Sequence, residues 1–145
     1  MYFVDREKIE EILQYMEVHL KTLEEKNTWE TKFEILALER IAHTVIESIL
    51  DVGNAMIDGF IMRDPGSYED IIDIMLDEKV ITEEMSKDLK DLVALRKPLV
   101  QEYTEVKIKE VLQVLASSKE SVEQFPKHVR DYLTNELGPV SAFRN

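Results

Sequence analysis

From residue 28 to residue 60 the chain contains no proline, and its apolar residues recur in steps of three and four. Leu38, Ile41, Ala42, Val45, Ile46, Ile49, Val52, Gly53 and Met56 share one face, and Ile35, Leu50 and Ile57 widen it. This period predicts one long helix. A helix that apolar must be covered on more than one side, which makes it the centre of a helical bundle. The surplus apolar surface also predicts a second subunit. Gly53, within the stripe, predicts a close backbone approach.

The remaining segments supply the helices around it. The first is predicted from about Arg6 to Glu25 with Asp5 as N-cap. Its apolar positions Ile9, Ile12, Leu13, Met16, Leu20 and Leu23 form a narrow seam of near-heptad spacing. Asn27–Glu30 and Thr31–Glu34 both read as capping signals, so the second helix is predicted to begin near residue 28. Pro65-Gly66 marks a turn, after which Ser67 and Asp70 cap a short helix from Tyr68 to Asp77. Thr82 caps a fourth helix. Pro98 suits the first turn of a fifth, running to about Ala116, and Pro126 opens a last one to about Leu137, before Gly138-Pro139. The predicted fold is all-α: an up-and-down four-helix bundle with additional short helices. Residues 1–138 form one domain, and residues 139–145 a C-terminal tail.

Composition narrows the function classes. There is no cysteine, hence no disulfide scaffold or thiolate metal site. His19, His43 and His128 lack metal-ligand spacing, so neither a metal nor a cofactor is expected. No apolar run approaches the roughly 20 residues of a bilayer span, and Met1–Asp5 has no leader pattern, so the expected location is cytoplasmic. A net charge of −12 argues against DNA binding, which depends on basic residues releasing counterions. The charge is uneven, however. Residues 79–109 carry seven basic side chains against six acidic ones, the stretch least repellent to RNA.

That stretch contains an anomaly. Met85, Leu89 and Leu92 form an apolar stripe, and Arg96 occupies its next position. A guanidinium stays charged at any working pH, so an inward-facing one needs a partner. In an unbroken helix, five residues advance about 500°, which would turn Gln101 about 140° away from Arg96. Pro98 breaks the helix and lets the two converge. Gln101 lies seven residues before Ile108 on the inner stripe of the fifth helix, so it too is expected to point inward.

Arg96, four residues, Gln101, one residue, Tyr103 resembles the Arg-x4-His-x-Tyr motif of HEPN-domain proteins of the HepT-like ribonuclease toxin family. Leu36-Ala37-Leu38-Glu39-Arg40 with Asn54, and Ser67-Tyr68 with Ile72, extend the resemblance. It implies a homodimer that brings two motifs to one cleft. It also implies metal-independent RNA cleavage, with Arg96 as the catalytic residue that stabilises charge on the scissile phosphate. A nucleotidyltransferase antitoxin would attach AMP to Tyr103 and silence the toxin. Gln101 stands at the catalytic histidine's position, and Lys97 stands where the family usually has asparagine, adding a phosphate-binding charge beside Arg96. A glutamine amide cannot exchange protons as imidazole does, a loss typically worth about 10²–10⁴-fold.

Two alternatives stay open. One is a HEPN protein without nuclease activity that binds nucleotides or proteins. The other is a purely structural helical dimer, in which Arg96 pairs with Glu102 or Glu105 to fix the bundle end. His43 lies at the edge of the long helix's stripe; its position fits a boundary residue, and a role as the missing base requires that it reach Arg96.

Overall fold

A computed structural model describes residues 2–138. These residues form seven α-helices and one 3-10 turn, with no strand among them: α1 (Arg6–Glu24), α2 (Lys32–Gly59), α3 (Tyr68–Asp77), α4 (Glu83–Val93), α5 (Arg96–Val100), the 3-10 turn Tyr103–Glu105, α6 (Ile108–Ser117) and α7 (Lys119–Leu137). The predicted tail, 139–145, lies outside the described residues.

Local chemistry fixes most helix starts. The Asp5 side chain accepts from the Lys8 amide, Ser67 from Asp70, and Thr82 from Met85. At the second helix, Thr31 prevails over Asn27 because its capping box is complete: Thr31 accepts from the Glu34 amide while Glu34 accepts from the Thr31 amide. α2 therefore starts at Lys32, a turn later than predicted.

The helices close a ring around one core. α1 packs on α2, α2 on α3, α3 on α4, α4 on α7, and α7 back on α1. Ile9, Leu13 and Met16 of α1 meet Ile46, Ile49 and Met56 of α2 within that core, with Met75 and Phe125 also fully buried. Gly53 lies where a Cβ would strike Ile71 Cγ2, so the Ile71 and Met75 side chains of α3 pack directly against the α2 backbone.

Two further boundaries differ from expectation. The predicted fifth helix is three pieces: α5 spans only Arg96–Val100, and the regular helix resumes at Ile108. The break lies upstream of Pro98, because a proline ring clashes with the carbonyl four residues back, here Ala94. α4 accordingly ends at Val93, and Leu95 tightens to a three-residue bond with Leu92 O at 3.0 Å. Beyond Val100, Glu102 and Glu105 place negative charge where a helix C-terminus disfavours it, and the chain turns away. The last helix begins at Lys119, seven residues before Pro126. Pro126 sits inside it, buried with Val122 and Phe125, and this packing offsets the missing amide donor.

No described helix is long and apolar enough to cross a membrane.

Candidate functional site

Met85, Leu89 and Leu92 are buried, as their stripe requires. Arg96, next along, does not continue into the core. The turn at Ala94–Leu95 swings it toward α2, where its Nε donates to Glu47 Oε1 at 2.6 Å. Its guanidinium also lies over the Tyr68 ring, 4.4 Å from the centroid. The side chain is 20 % exposed, so the pair is only partly shielded from water. The Glu47 carboxylate holds the guanidinium more firmly charged than usual. The carboxylate partner is thus Glu47, not Glu102 or Glu105: the break aims Arg96 across the bundle rather than along its own segment.

Arg96, Lys97 and Gln101 line one open groove of about 480 Å³, together with Ser67, Tyr68 and Glu69. Gln101 reaches it from the surface. It is exposed rather than inward-facing, because α5 and α6 are not one helix and the step of seven from Ile108 does not apply. Lys97 is exposed beside it. Tyr103, on the 3-10 turn, is 67 % exposed and outside the groove lining.

His43 stands one turn before Glu47 on α2. Its Nε2 lies 3.7 Å from the same Glu47 oxygen that binds Arg96. Histidine, carboxylate and guanidinium therefore form one cluster, but His43 does not line the groove. Asp51 follows one turn later, its carboxyl pushed up first by burial and then by the Glu47 charge. No group of three or more His, Asp or Glu among the described residues is arranged to hold a metal ion.

The sequence assigns Glu47 and Tyr68 no role beside Arg96, and Tyr68 enters it only through the Ser67-Tyr68 resemblance. Glu47 is one acidic residue on a long helix, and nothing local ties it to a residue 49 positions away. Tyr68 had a weak signal: it follows the Ser67 cap directly, which fixes it at the mouth of α3.

The Ribonuclease HepT-like sequence profile matches residues 6–129. The chain is 51 % identical to Bacillus subtilis (strain 168) "Putative RNase YutE" over 144 residues, covering 99 % of this chain and 100 % of that one. A solved structure of the Bacillus subtilis cytosolic protein YutE superposes with a TM-score of 0.95 at 52 % identity, over 99 % of this chain and 100 % of that one. A tri-AMPylated Shewanella oneidensis HEPN toxin in complex with MNT antitoxin matches with a TM-score of 0.75 at 20 % identity, over 85 % of this chain and 96 % of that one. At that identity the likeness concerns the fold alone. The profile and the Bacillus relative, with the bundle geometry, show that this chain belongs to the HepT-like ribonuclease family.

Proposed function

We propose that this chain is the RNA-cleaving toxin of a toxin–antitoxin pair. In this reading Arg96 and Lys97 hold a phosphodiester, Gln101 contacts the adjoining ribose, and two copies of the 1–138 domain face one another across the cleft. A nucleotidyltransferase partner silences the chain by adding AMP to Tyr103. The observation that carries the reading is the shared groove of Arg96, Lys97 and Gln101, with Arg96 braced by Glu47 and Tyr68. The AMP-modified Shewanella relative with its MNT antitoxin supports the Tyr103 role, since Tyr103 is the exposed tyrosine of the motif.

Cleavage needs the ribose 2′-hydroxyl to lose a proton as its oxygen attacks phosphorus, and the 5′-oxygen to gain one as it leaves. Arg96 stabilises the charge that builds between these events. An amide at 101 supplies orientation but no proton exchange, so water carries both transfers and turnover is slow. The test is incubation of the purified chain with single-stranded RNA, without metal. Slow cleavage that Arg96→Ala abolishes and Gln101→His accelerates is the expected result. Absence of cleavage by the chain and by both variants would overturn the nuclease reading.

The amide at 101 itself favours a second reading, a module that binds RNA without cutting it. Tight binding with no cleavage, and cleavage appearing in Gln101→His alone, would select it.

A further inference from the structure

The geometry points to Glu47 and Tyr68 as positioning residues that fix Arg96 so that only the outer edge of its guanidinium meets a phosphodiester of single-stranded RNA. This inference rests on the ribonuclease reading above.

A guanidinium can offer donors along three edges and an apolar face on each side. Two of these options are taken. Nε is committed to Glu47 Oε1 at 2.6 Å, and one face lies on the Tyr68 ring at 4.4 Å. The two outer nitrogens donate no hydrogen bond among the described residues. They form a fork that matches two oxygens of one phosphate, the arrangement that gives arginine its bidentate grip. Lys97 and Gln101 line the same groove as Arg96. Glu47 on α2, Tyr68 on α3 and Arg96 on α5 come from three elements, so the orientation belongs to the fold rather than to the motif segment.

Electrostatics makes the inference testable by sign. Glu47 is an anion next to a proposed RNA site in a chain of net charge −12. If it merely quenched Arg96, removing it would strengthen RNA binding and leave or improve cleavage. If it aims Arg96, removing it would strengthen or spare binding yet slow cleavage, because a misplaced donor no longer meets the transition-state charge.

The experiment measures single-turnover cleavage and fluorescence-anisotropy binding of one single-stranded RNA oligonucleotide, with circular dichroism as the folding control. Glu47→Ala is expected to slow cleavage on the order of tenfold or more with affinity unchanged or raised. Glu47→Gln keeps an oxygen that accepts the Nε–H and is expected to stay within about threefold of wild type. Tyr68→Phe keeps the ring and the rate, whereas Tyr68→Leu loses both. Should Glu47→Ala fail to fold, the Gln and Phe variants against Tyr68→Leu decide the matter. Wild-type rates in Glu47→Ala, or equal losses in Glu47→Ala and Glu47→Gln, overturn the positioning role while the ribonuclease reading stands. A wild-type chain that neither binds nor cuts RNA sinks that reading, and this inference with it.

Discussion

Arg63, on the turn after α2, grips Asp70 in the first turn of α3 with both outer nitrogens, at 2.7 Å to Oδ2 and 2.8 Å to Oδ1. The same carboxylate accepts from the Gly66 amide at 2.8 Å, so one side chain pins the whole turn that delivers Tyr68 to Arg96.

This pin is acid-labile. The Arg63 guanidinium, and then the Gly66 amide, hold the Asp70 carboxyl down at about 2. An unfolded aspartate titrates near 3.9. A depressed acid stabilises the fold fully above the unfolded value and loses that contribution as pH falls through the folded one. Thermal melts from pH 5 to pH 2 are expected to show stability falling in that window. Asp70→Asn, which cannot titrate, is expected to be less stable at pH 5 and to lose less on acidification. Parallel curves for the two proteins would refute the assignment.

Arg96→Ala separates stability from function. The Arg96–Glu47 pair is partly exposed, 20 % and 31 % at the two side chains, so water screens it. Its loss is expected to cost about 1 kcal/mol or less in chemical denaturation, the range of solvent-screened pairs. A loss of several kcal/mol would instead mark Arg96 as a structural clamp of the bundle. RNA cleavage in the same variant is expected to vanish.

These two pairs show what could be read from the sequence. Ser67 with Asp70 and Thr31 with Glu34 are capping signals three residues apart, and each appears in the fold where local chemistry put it. The α2 stripe likewise announced the central helix, since Leu38 through Met56 must be covered by something. The break near Arg96 was legible only in outline. A proline acts on the carbonyl four residues upstream, so the helix ended before Arg96 rather than after it. A separate interruption between Val100 and Ile108 put Gln101 on the surface and divided the predicted fifth helix. Glu47 could not be found at all, because its pairing with Arg96 is made by tertiary packing and leaves no trace in local spacing.

Gly53 offers a test of the α2–α3 contact. An added Cβ would press on Ile71 Cγ2 and lie 3.1 Å from Met75 Cε. Met75 can bend away, but the branched carbon of Ile71 is stiff. Alanine gains up to about 1 kcal/mol of helix propensity, which overpacking of about 1–3 kcal/mol more than offsets. Gly53→Ala is therefore expected to lower the unfolding free energy by about 1 kcal/mol. Combining it with Ile71→Ala is expected to cost less than the sum of the two single changes, because the second removes the clash. Strict additivity in a double-mutant cycle would show that the two residues do not press on one another.

Ile61 carries strain that substitution should release. α2 ends at Gly59, Phe60 caps it, and the Met62 amide donates to Ile57 O at 2.9 Å. This six-residue closure places Ile61 where helices usually put glycine, in the left-handed region, and its φ is +56°. A β-branched residue is poorly suited to that region, which costs roughly 1–2 kcal/mol. Gly59 does not relieve it, because a Cβ there would lie 2.8 Å from Val4 Cγ2 and 3.1 Å from Phe3 O. That glycine is committed to letting the N-terminal segment cross. With its side chain 71 % exposed, Ile61 recovers little by packing. Ile61→Gly is expected to raise the unfolding free energy by about 1 kcal/mol, after allowing for the extra freedom of glycine in the unfolded chain. A destabilised variant in urea denaturation would mean that the isoleucine side chain is held by something other than this turn, and the strain argument would fail.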